Sequence, residues 1–271
     1  MIIDAWDPQT FSAEIATVLT KHSELIFDYH VEDRRLMHEH LNSSPYQSLK
    51  PNRLFRAHQN FRENTLAPIV AKSRIRVWHY TRLTDEEANT MCSKIVPSSL
   101  EYLRYRLSNL VANNLLTKDD AETVFAQSPY HRQPFRTNSL WTTVLPLSHC
   151  DCGVELLLKY WGGESAYFWL SDERIVNTLR NLGTSRIVEI ETALMDELNG
   201  YSVAGIFLAA WARQLGAPVT PSNRDLLIRE FIDTAKVIRI HTKEDNFFEA
   251  VGTTYPVGAS TLLEDDNGST I

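Results

Sequence analysis

The chain has 271 residues, 43% of them hydrophobic and 23% charged, which suits one large folded domain or a domain with an extension. A formal net charge of −7 argues against a protein that coats nucleic acid along its whole surface. Three cysteines make no disulfide framework, no apolar run approaches the ~20 residues that span a bilayer, and the opening Met-Ile-Ile-Asp-Ala-Trp-Asp lacks the regions of a signal peptide, so a cytoplasmic protein with no membrane partner is expected.

In chain order, residues 10–41 read as helix: Phe11, Ile15, Val18 and Leu19 recur at helical spacing, and Leu25, Ile26, Tyr29, Leu36 and Met37 continue it. The loop-forming stretch NSSPYQSLKPN, 42–52, marks the boundary of this helical front. Residues 50–82 carry eight Lys or Arg against the single acid Glu63, a basic stretch suited to an anionic ligand or an acidic partner, or simply to a solvated face. RIRVWHYTR, 74–82, alternates charged and apolar residues and predicts a strand with Val77, His79 and Thr81 on one face and Trp78, Tyr80 and Arg82 on the other.

Thr84 with Glu87 and Ser98 with Glu101 read as capping boxes, and Thr117 as a further helix start, so residues 84–127 are expected to be mostly helical. SLWTTVLPL (139–147) predicts a strand, GVELLLKYW (153–161) a helix stopped at Gly162-Gly163, and SAYFWL (165–170) another strand. Ser171 is expected to cap a helix that Gly183 ends, followed by the strand RIVEIETAL (186–194). SVAGIFLAAWARQL (202–215) is apolar nearly all round and predicts a buried helix, and DLLIREFI and KVIRIHT predict two final strands before a polar tail. The fold class is therefore α+β: a helical extension over 1–70, a core over 71–245 with a helical insertion at 84–127, and a tail over 246–271.

Three strand segments concentrate polar groups: His79-Tyr80-Thr81, Tyr167 within GGESAYFWLSDE, and Asp225 opening RDLLIREFIDTAKVIRI. In this order they resemble the ADP-ribosyltransferase superfamily of the His-Tyr-Glu, diphtheria-toxin-like type, across residues 74–242. The resemblance implies a split β-sheet core that takes NAD as substrate and transfers ADP-ribose to a macromolecular acceptor, protein or nucleic acid, releasing nicotinamide. It implies Asp225, Tyr167 and His79 as catalytic residues. Asp225 would stabilise the oxocarbenium-like charge, Tyr167 would stack on the cationic nicotinamide, and His79 would bind a ribose hydroxyl. Tyr80, Thr81, Ser171 and Arg82 would complete the NAD site, with Arg74 or Arg76 as further cations for the pyrophosphate. This chain departs from the family pattern in having Tyr80 where a glycine is usual and Asp225 where a glutamate is usual. Glu189 and Glu191, a Glu-x-Glu on a strand, and Glu230 are rival acids. The resemblance extends to a bacterial toxin or phage-defence effector held by an antitoxin or regulatory protein. Three other readings stand beside it: an NAD glycohydrolase, a non-enzymatic interaction protein using helices 10–41 and 84–127, and a zinc protein using His149, Cys150 and Cys152. No metal is expected in the first reading.

Overall fold

A computed structural model describes residues 2–42, 48, 50–194, 197–219, 222, 225–229, 232–252 and 254–255, without the side chains of 197–199. The 42–52 boundary expected from sequence lies largely outside these residues, as do Glu230 and the tail from 256 onward. In chain order the helices are α1 (Ala13–Lys21), α2 (Ser23–Leu41), α3 (Phe55–Phe61), α4 (Ala67–Val70), α5 (Asp85–Ser93), α6 (Leu100–Ala112), α7 (Lys118–Ala126), α8 (Glu155–Lys159), α9 (Glu164–Tyr167), α10 (Glu173–Asn181), α11 (Glu197–Gln214) and α12 (Asn246–Ala250). The strands are β1 (Arg74–Leu83), β2 (Leu140–Thr143), β3 (Thr184–Ala193), β4 (Asp225–Ile228) and β5 (Lys236–His241).

The described residues divide into two compact units, one drawn from Met1–Arg76, Ala193–Arg224 and Thr254–Ile271, the other from Val77–Thr192 and Asp225–Thr253. The units interleave along the chain and do not follow a single cut near residue 70. The described residues between 193 and 222 cluster with the N-terminal helices, and α12 folds with the second unit, where Phe248 is buried.

In the first unit, Ser12 caps α1 by accepting from the Ile15 amide at 3.2 Å. The helical stretch 10–41 is broken at His22, which leaves helical geometry (φ −112, ψ 17) and separates α1 from α2. The apolar α11 packs on α2 and α4, and Phe207 stacks on Phe11 with ring centroids 4.5 Å apart. Helix α3 runs into a π-helical turn, Arg62–Leu66, before α4. His58, buried, lies flat against Tyr29 at 3.7 Å, with His30 edge-on to it at 5.6 Å. Burial depresses both imidazoles, His30 to a pKa of about 4 and His58 to about 3, His30 and Arg62 adding to the effect at His58.

The fold is mixed α/β around a five-stranded antiparallel sheet of order β4-β2-β1-β3-β5. On one flank β3 and β5 pair over five positions, from Ile187↔His241 to Glu191↔Lys236, with a bulge between Glu189 and Ile190. On the other, β2 and β4 pair over four positions, Leu140↔Ile228 to Thr143↔Asp225. Between β1 and β2 the register is carried by a single pair, Trp78↔Thr143. Away from the sheet, a leucine-rich core gathers Leu103, Leu107 and Leu110 of α6 with Val124, Trp161, Ile175 and Leu179.

SAYFWL, expected as a strand, is not one. Gly162 and Gly163 take φ of 76° and 55°, a left-handed pair that reverses the chain after the buried Trp161. The Ser165 hydroxyl then donates to the Gly162 carbonyl at 2.6 Å, and the turn continues as α9, which buries Ala166. A short apolar run fits a buried helical turn as well as a strand, and here the paired glycines select the turn. Two helix starts also shift by one residue: Asp172, not Ser171, caps α10, and Ser99, not Ser98, caps α6.

Candidate functional site

The second unit contains a cavity of about 440 Å³, within the range of small-molecule sites. It opens where β1 and β2 part: residues Trp78–Thr81 line one side and Leu140–Thr143 the other. Helices α5 and α6 contribute Glu87, Tyr102 and Arg106, the segment before β2 contributes Tyr130 and Arg136, Gly162–Ser165 form another wall, and Asp225 stands at the start of β4.

His79 spans the parting strands. Its Nδ1 lies 2.8 Å from the carbonyl oxygen of Trp141. A carbonyl only accepts, so Nδ1 carries the hydrogen, and in the neutral ring Nε2 is left as an acceptor. Burial holds the imidazole below the usual histidine range, the bond to Trp141 opposing this only in part, so the neutral form prevails at neutral pH. Tyr80 is a wall residue: its hydroxyl donates to the Leu147 carbonyl at 3.0 Å and accepts from the Leu147 amide at 2.6 Å. Burial pushes that phenol well above the usual tyrosine range. Thr81 is buried at the cavity, and Asp225, exposed, is placed beside Thr143 by the β2–β4 register.

The remaining residues expected at the site stand elsewhere. Tyr167 ends α9, packs against the leucine-rich core and lies 4.7 Å from the ring of Tyr160, with its pKa raised to about 12 by burial and Glu164; it is not among the cavity residues. Arg82 donates from Nε to the Leu182 carbonyl at 2.7 Å and from Nη1 to the Ser185 hydroxyl at 3.1 Å, so its guanidinium ties together segments away from the cavity. Ser171 is exposed in the turn before α10. Arg76 pairs with Asp4 at 3.4 Å in the first unit. Of the rival acids, Glu189 is buried against His241, carboxylate to Nε2 3.2 Å, and neither it nor Glu191 lines the cavity. Cys150 and Cys152 are exposed, and among the described residues no group of three or more His, Cys, Asp or Glu could hold a metal ion.

Sequence reasoning missed the ionic wall of the cavity. Glu87 accepts through Oε1 from Arg106 Nε at 2.7 Å, and through Oε2 from the Thr84 amide at 2.8 Å and the Trp161 indole at 2.9 Å. Burial alone would raise the Glu87 pKa, but Arg106 and the two N–H donors outweigh it and the net shift is downward. Arg106 lies over the Trp161 ring at 4.4 Å, a cation–π contact that completes the cluster. The one available signal was Thr84-x-x-Glu87, which reads as a helix cap and nothing more. A further carboxylate at the cavity, Glu164, pairs with Arg136.

Compared with protein-family models, with characterised proteins and with solved structures, the chain matches none.

Proposed function

We propose that the second unit binds NAD in this cavity and transfers its ADP-ribose to a macromolecular acceptor, releasing nicotinamide. The observation that carries the reading is convergence: His79 and Thr81 of β1 and Asp225 of β4, far apart in sequence, border one cavity. The narrow join between β1 and β2 supports a split-sheet core: among the described residues their ladder keeps the single registered pair Trp78↔Thr143.

In this reading the bond between ribose C1′ and the nicotinamide nitrogen breaks, its electron pair leaving with nicotinamide. The Asp225 carboxylate stabilises the positive charge that develops on the ribose. A lone pair of the acceptor forms the new bond to C1′, and the proton it sheds passes to Asp225 or to solvent. His79 Nε2, kept as an acceptor by the Trp141 carbonyl, receives a hydrogen bond from a ribose hydroxyl. Tyr167 is replaced as stacking partner by an aromatic that borders the cavity, Tyr102 or Tyr130. Arg106 and Arg136 replace Arg82 as the nearest cations for the pyrophosphate.

The test is NAD consumption by the full chain, read as nicotinamide release by chromatography. His79→Ala and Asp225→Ala are each expected to lower the rate at least tenfold. No release by the unmodified protein, with or without cell extract as acceptor source, sinks the proposal. Release without any acceptor assigns water as the nucleophile and makes the protein a glycohydrolase.

A further inference from the structure

Beside the cavity lies a face that, apart from Arg136, the NAD reading does not use. Phe135, Phe168 and Trp141 are large rings left 59%, 47% and 46% exposed. They are interleaved with guanidinium groups: Arg136 lies 5.8 Å from the Phe135 ring and 5.9 Å from the Phe168 ring, and Arg132 lies 5.5 Å from the Trp169 ring. Arg229, the residue after β4, donates to the Phe135 carbonyl at 2.8 Å, and Leu227 two residues earlier pairs with Trp141. Arg136 is held by Glu164, but Arg132 and Arg229 are exposed and, among the described residues, take part in no ion pair. The sequence from 123 to 150 contains no Asp or Glu, on a chain whose net charge is −7. Trp141 and Arg136 also border the cavity.

We propose that this face binds single-stranded nucleic acid, its unpaired bases stacking on Phe135, Phe168 and Trp141 and its phosphates meeting Arg132 and Arg229. Exposed rings alternating with arginines suit bases that are free to unstack, and a duplex hides those base faces. A protein partner of the same patch would have to be acidic and apolar at once, whereas a single strand supplies phosphate charge and flat bases along one chain. The strand enters beside the cavity. Naming it as the acceptor of ADP-ribose rests on the transfer reading; its binding does not.

The experiment is fluorescence anisotropy of labelled 20-nucleotide single-stranded DNA, single-stranded RNA and duplex DNA with the full chain. It is run at 50 mM and 200 mM salt, on the unmodified protein, on Phe135→Ala/Phe168→Ala, and on Arg132→Glu/Arg229→Glu. Thermal unfolding of each variant checks that it folds; the substituted positions are exposed. Single strands are expected to bind more tightly than duplex and to weaken with salt. Loss of each ring is expected to weaken binding roughly tenfold, and the charge-reversed variant to lose the salt dependence. The proposal is overturned if no single strand binds at 50 mM salt, if duplex binds as well, or if the ring variant binds unchanged. It is also overturned if a protein, and no oligonucleotide, is retained by the patch. Binding without NAD consumption keeps this face and removes the transfer reading. NAD consumption without oligonucleotide binding does the reverse.

Discussion

Each flank of β1 carries an imidazole and a carboxylate beside an aromatic ring, and the two flanks use them in opposite ways. On the β3–β5 side, His241 is bonded to Glu189 and stacked on Phe247 at 4.2 Å, and Phe247 is stacked on Trp78 at 5.2 Å. His241 and Glu189 are buried there, and neither lines the cavity. On the β2–β4 side, His79 is bonded to a backbone carbonyl, and the carboxylate, Asp225, stands exposed at the rim of a cavity. The difference lies in the ladder. Where β3 and β5 keep five registered pairs, polar side chains are drawn into pairs with one another. Where β1 and β2 keep one, an imidazole bonds a carbonyl across the gap and space opens beside it.

The largest expected effect comes from a third set of imidazoles, which pack on Tyr29 and on each other. His30 and His58 of the first unit have folded pKa values of about 4 and about 3, below the unfolded value. The unfolded chain therefore binds more protons. The stability these groups preserve is complete above about pH 6.5 and is lost as pH falls from there toward the folded values. The loss is on the order of 5 kcal/mol by pH 4. Urea unfolding at pH 7.5 and 4.5 measures it, and His58→Phe, which keeps the stack on Tyr29, is expected to flatten the dependence. An unchanged slope would mean that burial of these rings is not its source.

Next in size is the ionic wall. Arg106→Leu leaves Glu87 buried beside two N–H donors without its cation, and is expected to cost about 3–5 kcal/mol in guanidinium unfolding. Adding Glu87→Leu should restore part of that loss, because removing both charges removes the desolvation penalty as well. A double variant as weak as the single one would show that shape, not charge, holds the wall.

Replacing each of the two histidines in turn separates the flanks. His241→Ala should cost about 2–3 kcal/mol, the worth of a hydrogen bond to a charged group, and leave NAD turnover per folded molecule unchanged. Should His241→Ala reduce turnover as far as His79→Ala does, the closed flank is not closed and the contrast fails. The smallest expected effect is Asp225→Asn on stability, within about 0.5 kcal/mol because the side chain is exposed at a sheet edge; thermal unfolding measures it.

Local rules recovered much of this arrangement. The alternation in RIRVWHYTR predicted β1, the Thr84/Glu87 capping box formed with both of its hydrogen bonds, and the apolar run 202–215 formed α11 as far as Gln214, burying Val203, Phe207 and Ala212. These depend on neighbours in the chain. The errors arose where a local pattern has two solutions, as in SAYFWL, or where a partner lies far along the sequence. Arg82 reads as a free cation until the Leu182 carbonyl and Ser185 hydroxyl come within reach, and Glu189 reads as a candidate acid until β5 brings His241 beside it. Trp161, Arg106 and Glu87 are each ordinary in their own segments, and only tertiary packing assembles them.

The doubled hydrogen bond between the Tyr80 hydroxyl and Leu147 has a use in spectroscopy. The Leu147 amide is held at 2.6 Å by an oxygen on β1, so it exchanges with deuterium only when the cavity wall at residue 147 lifts from the sheet. That single N–H is a clock for the opening of the cavity. Its slowing on addition of NAD would report ligand occupancy without any turnover being observed.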